Sequence, residues 1–271
     1  MSGRLVVCPT PIGNLEDITL RTLSALREAD VVACEDTRRT RVLLDRYGVS
    51  ARLVSYHEHN EAARSVELVA RMREGEVVAL VSDAGTPLVS DPGYLLVRGC
   101  VAAGLPVEVL PGPSAAITAL VASGLPADEW HFQGFLPRKR GELARLLGAQ
   151  ASTLVAFESP RRLPATLRSL AEAMPSRRVA VCRELTKRFE EVVRGGAAEV
   201  AERFPEPPKG EVTIVIGARE EGGVTVEAGE AVEAVGELVA AGVPRRQAVD
   251  VVARLARVSR NTLYSQSLKS R

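Results

Sequence analysis

Over its first half the chain alternates short β-branched runs with helical patterns, and this alternation restricts the fold more than any single motif. Apolar runs at residues 5–8, 31–34, 53–56, 77–81 and 107–110 alternate with helical patterns at 20–29, 38–47, 61–73, 94–103 and 114–123. Strands that are apolar along their length and separated by helices predict a mainly parallel sheet covered on both faces. The linker-like stretch Gly124-Leu125-Pro126-Ala127-Asp128-Glu129 follows. Beyond it, strand patterns at 131–134, 153–157, 178–182, 191–194 and 212–217 mix with helical ones at 163–173 and 197–204, which predicts a second α/β domain with a mixed sheet. Residues 206–210 (Glu-Pro-Pro-Lys-Gly) cannot be regular structure, and Glu220-Glu221-Gly222-Gly223 reads as a hinge. Helical pieces at 231–241, 245–256 and 260–268, joined by short turns, then resemble a helix-turn-helix. The expected organisation is α/β throughout: an N-terminal domain over 1–123, a second domain over 124–220 with a cleft between the two, and a basic helical module over 224–271.

Of the 271 residues, 46% are hydrophobic and 25% charged, which excludes a disordered, collagen-like or coiled-coil chain. No run approaches the roughly 18 apolar residues of a membrane span, and the N-terminus has no signal-peptide core, so a cytoplasmic protein is expected. The four cysteines are widely spaced with no Cys-x-x-Cys pair and read as buried free thiols. The net charge of +1 hides a division. From Arg245 onward, seven basic residues face one acid, a net of +6, while the first 244 residues carry 28 basic and 33 acidic residues, a net of −5. A basic tail suits RNA phosphates; its alternative is a small packing or dimerisation module with solvated arginines.

In open parallel sheets ligands sit beyond the carboxyl ends of the strands. The first such loop, Cys8-Pro9-Thr10-Pro11-Ile12-Gly13-Asn14, has neither the dinucleotide-binding nor the P-loop glycine pattern. The fourth runs Ser82-Asp83-Ala84-Gly85-Thr86-Pro87-Leu88-Val89-Ser90-Asp91-Pro92-Gly93. Its first cluster suits close approach to a polar, even cationic, ligand; its second reads as a helix cap at Ser90 or Asp91. The fifth, Pro111-Gly112-Pro113-Ser114-Ala115-Ala116, again opens a helix. Together these loops predict a pocket for a neutral or zwitterionic molecule rather than a triphosphate.

With Glu35-Asp36-Thr37-Arg38, His57-Glu58-His59-Asn60, Gly134-Phe135-Leu136-Pro137, Glu158-Ser159-Pro160, Arg183-Glu184-Leu185-Thr186-Lys187 and Lys209-Gly210-Glu211, these loops make a set that resembles, in order, the small-subunit ribosomal RNA 2′-O-methyltransferases that modify a decoding-centre cytidine. That family lies in the tetrapyrrole (class III) methylase superfamily. The resemblance implies two α/β domains, S-adenosyl-L-methionine folded into the cleft between them, 16S ribosomal RNA or the assembled small subunit as partner, and a homodimer. It places the cofactor against Pro11, Gly13, Ala84, Gly85, Thr86, Pro87, Gly112, Pro113, Ser114, Ala115, Phe157, Glu158, Ser159, Gly210 and Glu211. One departure stands out: Arg161-Arg162 follows Glu-Ser-Pro where the family commonly has histidine, which favours phosphate contact over acid–base chemistry there.

RNA contacts are expected from Arg38, Arg138, Lys139, Arg140, Arg161, Arg162, Arg245, Arg246 and Arg254, with Phe132 and Phe135 as stacking surfaces. Arg39 and Arg41 read as solvated. The histidine pair lacks a third ligand cluster, so no metal is expected. A ribose hydroxyl is weakly acidic and benefits from a base. Candidates are Glu158, Glu184, Lys187 and Asp36. Competing readings are a methylase of tetrapyrroles or another small molecule, and a non-enzymatic helix-turn-helix regulator whose body senses a ligand.

Overall fold

A computed structural model of the chain describes residues 3–218, 228–256 and 258–268. The chain divides into two compact units, Met1–Arg219 and Glu220–Arg271. In the first, β1 (Arg4–Val7), β2 (Val31–Cys34), β3 (Leu53–Ser55), β4 (Val77–Val81) and β5 (Val107–Val109) pair in parallel in the order β3-β2-β4-β1-β5. Helices α1 (Leu20–Glu28), α2 (Thr37–Arg46), α3 (Glu61–Arg73), α4 (Tyr94–Ala102) and α5 (Ala115–Ser123) follow these strands in turn.

Successive strand side chains point to opposite faces, so an unbroken apolar run feeds two cores. Leu5 and Val7 join Val78 and Leu80 against Leu68 and Met72 of α3 and Leu96 and Cys100 of α4. Val6 and Cys8 join Ala79 and Val81 against Leu23 and Leu26 of α1 and Leu44 of α2. Leu26 and Leu44 are fully buried, each contributing roughly 1.5–3 kcal/mol. This two-sided covering leaves the carboxyl ends of the strands as the place where loops are free to form a site.

The second sheet contains β6 (Trp130–Phe135), β7 (Thr153–Glu158), β8 (Arg178–Arg183), β9 (Glu191–Gly196) and β10 (Val212–Ile216) in the order β6-β7-β10-β8-β9. Only β6 and β7 run parallel; the other described pairs are antiparallel. The β6–β7 register breaks between Phe132 and Phe135, where Gly134 takes φ 71°. One face packs on α6 (Arg140–Ala149), α7 (Leu163–Ala173) and α8 (Ala197–Arg203). The other receives Ala116, Ala119 and Leu120 of α5 together with Ile12 and Leu185. So α5, which the sequence pattern groups with the first domain, packs its apolar face on the second sheet and makes one compact unit of both. Helix α6 is absent from the sequence expectation. Gly141 and Gly148 and the preceding basic run disguise it, although Leu143, Leu146 and Leu147 have helical spacing and pack on the core.

The second unit contains α9 (Ala228–Ala240), α10 (Arg245–Ala256) and α11 (Arg260–Ser267) around Ala231, Val235, Ala248, Val249, Val252 and Leu263. The Ser259 hydroxyl caps α11 by accepting from Thr262 N. The Arg245 guanidinium donates to the Ser267 carbonyl and Arg260 pairs with Asp250, so these two arginines tie the helices together. Arg246 and Arg254 are exposed. The hinge at 220–223, and Arg257, Lys269 and Arg271 of the basic tail, lie outside the described residues.

Candidate active site

The proline-framed loops are stitched to one another at the carboxyl edge of the first sheet. Thr10 and Gly85 exchange backbone hydrogen bonds of 2.9 and 3.0 Å, the Thr10 hydroxyl donates to the Ser82 carbonyl at 3.0 Å, and the Thr86 hydroxyl donates to the Pro113 carbonyl at 3.1 Å. From the second sheet, the Thr186 hydroxyl accepts from Asn14 N at 3.0 Å. A Cβ at Gly13 would lie 2.5 Å from Lys187 Cγ, and one at Gly210 (φ 94°) 2.4 Å from Glu184 Cδ. Gly13 lets the two sides of the cleft close on each other, not only on a ligand, and Gly210 lets the loop before β10 close on the one after β8. The described non-glycine residues with left-handed φ are Leu88, Ser90, Glu184 and Thr186, all in loops bordering the cleft. Strain of this kind gathers at functional sites.

Between the sheets lies a cavity of about 520 Å³. Of the sequence-expected cofactor residues, Ala84, Gly85, Thr86, Ser114, Ala115, Phe157, Glu158, Ser159, Gly210 and Glu211 line it. A second cavity of about 340 Å³ shares Ile12, Ala84 and Glu211 with the first and is lined by Pro11, Gly13, Arg39, Asp83 and Lys187 among others. Pro87, Gly112 and Pro113 are not among the described lining residues of either cavity. Gly112 packs on Pro9, where a Cβ would meet Pro9 Cβ at 2.6 Å. Sequence reasoning missed Ile12, Val89, Asp91, Cys182, Leu185 and Thr213 as lining residues. Ser90 or Asp91 is expected from the sequence as a helix cap, but the N-cap of α4 is Gly93 with φ 141° and no side-chain bond, and both residues line the cavity instead.

Each of the four candidate bases has hydrogen-bond or ion-pair partners within the protein. Glu158 is 2% exposed and takes a bidentate ion pair from Arg162 (3.0 and 3.1 Å), with further bonds from the Thr166 hydroxyl and Ser159 N, each 2.7 Å. Asp36 caps α2 and grips the Arg38 guanidinium, and those bonds hold its carboxyl well below the usual range. Lys187 Nζ bonds Glu184 at 2.7 Å and Glu211 at 3.0 Å. The bond from Lys187 and that from Glu211 N lower the Glu184 pKa. Burial works to lower that of Lys187, but its two carboxylate partners outweigh it and raise it. Glu184 is thus a paired carboxylate and Lys187 an ammonium, neither suited to accept a proton near neutrality.

Asp91 differs. Burial first, then the nearby charges of Glu35 and Asp83, push its carboxyl up to about 7 against the opposing hydrogen bond of the Ser82 hydroxyl. Glu35 is raised as well, by burial and by Asp83. All four cysteines are buried, and burial pushes the Cys8 thiol up to about 12 and those of Cys100 and Cys182 up to about 11. They are structural thiols, Cys182 included although it lines the cavity.

Among the expected RNA contacts, Arg162 is half-buried and its guanidinium is bound to Glu158 and to the Leu136 and Pro137 carbonyls. Lys139 pairs with Glu142 at 3.2 Å and Arg140 with Glu172, both on the surface. Arg138 and Arg161 are exposed. Arg38 is exposed but held by Asp36, whereas Arg39, read as solvated, lines the second cavity 3.4 Å from Asp83. Phe135, 60% exposed, packs edge-on against Phe157 at 5.7 Å on the cavity rim. Among the described residues no group of three or more His, Cys, Asp or Glu is placed to hold a metal.

Two unlike α/β sheets joined by α5, with a stitched loop cleft between them, define a methylase of the tetrapyrrole type: the profile of the Tetrapyrrole (Corrin/Porphyrin) Methylases matches residues 4–201. Uroporphyrin-III-C-methyltransferase from Thermus thermophilus superposes with a TM-score of 0.57 at 26% identity, over 80% of this chain and 94% of that one. "Ribosomal RNA small subunit methyltransferase I" of Mesorhizobium japonicum is 52% identical over 80% of this chain and 76% of its own length; that of Micromonospora olivasterospora is 44% identical over 98% and 86%. The chain belongs to the ribosomal RNA small subunit methyltransferase I family within the tetrapyrrole methylases.

Proposed function

We propose that the protein transfers a methyl group from S-adenosyl-L-methionine to the 2′-hydroxyl of a cytidine in the decoding centre of small-subunit (16S) ribosomal RNA, in the cytoplasm and as a homodimer. The observation that carries this reading is the lining of the larger cavity: about 520 Å³, with apolar walls from Ile12, Val89, Phe157, Leu185 and Val212, and no Lys or Arg among its described residues. Its volume falls in the range of small-ligand sites, about 300–1,000 Å³. With no cation among its described lining residues it does not suit a polyphosphate, whereas Phe157 and the apolar walls suit a small ligand that carries an aromatic ring.

S-adenosyl-L-methionine supplies a methyl group on a sulfonium, a donor already activated for displacement. Phe157, Ala84, Thr86 and Ser114 would hold it, and the welded loops fix where it lies. Alignment of donor and acceptor accounts for up to roughly 7–11 kcal/mol of barrier in favourable cases. The adjoining cavity, with Arg39 and Lys187 on its wall, is the place for the acceptor nucleotide, and Arg138, Arg161, Arg246 and Arg254 offer exposed cations for RNA phosphates. Exposed apolar side chains on α5 and β5, Ile117, Val121 and Val109, offer surface to a second copy, which light scattering of the purified protein checks.

The test is incubation with labelled S-adenosyl-L-methionine and either undermethylated small subunits, their free RNA, or a tetrapyrrole. Label in RNA at a position resistant to alkaline cleavage is the expected result. Label in the tetrapyrrole alone would convert the protein into a small-molecule methylase.

A further inference from the structure

Three acids line the larger cavity, and two have cationic partners: Arg162 holds Glu158, and Lys187 holds Glu211. Asp91 has no ion pair among the described residues. It sits after Ser90 (φ 67°) and Leu88 (φ 74°), in a turn that aims it into the cavity instead of at the start of α4. From the facing sheet, a Cβ at Gly134 would lie 3.5 Å from Ser90 Oγ, so this turn reaches the wall formed by Phe135 and Pro160. Around Asp91 stand Glu35 at the end of β2, and Ser82 and Asp83 at the end of β4; Ser82 and Asp83 line the adjoining cavity, so Asp91 stands on the wall between the cavity for the cofactor and the one for the acceptor. Arg39 of α2 pairs with Asp83, and His57 after β3 acts on Glu35.

We propose that Asp91 is the catalytic residue that takes the proton from the acceptor hydroxyl during methyl transfer. The inference rests on the function proposed above. The O2′–H bond breaks and its proton passes to a carboxylate oxygen of Asp91; the electron pair left on O2′ forms the bond to the methyl carbon, and the pair of the carbon–sulfur bond leaves with sulfur. Asp91 suits the task because a base works best when its pKa lies near the working pH, and burial beside Glu35 and Asp83 places its carboxyl at about 7. The usual 3.8 would make it too weak.

The experiment compares wild type with Asp91→Asn in single-turnover methylation of undermethylated subunits from pH 5.5 to 8.5, with cofactor affinity measured by calorimetry. Wild type gains about tenfold per pH unit up to a midpoint near 7 and then levels. Asp91→Asn is slower by about 10²–10⁴-fold, shows no such midpoint, and binds the cofactor within a few fold of wild type. Two readouts do not need turnover. In protein carrying ¹³C-labelled aspartate, one carboxyl titrates near 7 and is missing from the variant. Further, the folded carboxyl keeps its proton to about pH 7 while the unfolded one loses it near 3.8, so wild-type stability falls as pH rises across that window and Asp91→Asn removes the fall. Ser82→Ala, which removes the hydroxyl that holds the carboxyl down, shifts the kinetic midpoint upward. Turnover of Asp91→Asn within a few fold of wild type, or a midpoint unmoved in either variant, overturns the proposal. Failure of wild type itself to label RNA overturns the functional reading instead.

Discussion

Replacing Glu158 by alanine separates a structural carboxylate from a catalytic one. Its side chain is fully enclosed and carries a bidentate pair with Arg162, a bond from Thr166 and one from Ser159 N. Removing one member of a buried pair costs about 3–5 kcal/mol, mostly because the remaining charge loses its partner. Arg162 keeps the Leu136 and Pro137 carbonyls at 2.8 and 3.2 Å and is partly exposed, which places the loss at the low end, about 3 kcal/mol. For a body of this size that lowers Tm by roughly 6–12 °C, measurable by scanning calorimetry. Glu158→Gln, which keeps one acceptor oxygen, puts an NH2 donor in place of the other and removes the charge, falls between. The reasoning is refuted if Glu158→Ala melts within about 2 °C of wild type while turnover is abolished, for then the carboxylate acts on the substrate and not on the fold.

Gly210→Ala places a Cβ 2.4 Å from Glu184 Cδ at φ 94°; denaturant titration is expected to show a loss of more than about 1 kcal/mol, with weaker cofactor binding by calorimetry. A thiol reagent at pH 8 labels none of Cys8, Cys34, Cys100 and Cys182 in the folded protein and all four in denaturant, because burial raises each thiol. Arg246→Ala with Arg254→Ala flattens the salt dependence of RNA binding by up to about 0.7 per lost phosphate contact, leaving cofactor affinity alone. An unchanged slope would make the tail a packing module.

The strand and helix pattern was legible because burial on both sheet faces writes unbroken apolar runs into β1, β2 and β4, and amphipathic stripes into α2 and α3. What failed was long-range. Nothing local in 115–123 says that α5 packs on a sheet formed later in the chain, and the glycines flanking Leu143–Leu147 conceal α6. At the site, proline and glycine marked the loops well, since rigid turns and close approach have strong residue preferences. Side-chain roles followed the local cap rule only where no tertiary partner competed. Asp36 does cap its helix, whereas Asp91 is displaced from that role by the left-handed turn before it and by Gly93. The same limit explains why Arg38 was chosen over Arg39: which of two neighbouring helix residues faces a cavity depends on how α2 packs, not on its sequence.

The central claim is that this cleft directs a methyl group to a ribose oxygen of small-subunit RNA. Its most direct measurement is mass spectrometry of nucleosides digested from undermethylated small-subunit RNA after incubation with the protein and isotopically labelled S-adenosyl-L-methionine. The account predicts 2′-O-methylcytidine as the labelled nucleoside. Label on a base carbon or nitrogen, or none in RNA when the cofactor demonstrably binds, would contradict it.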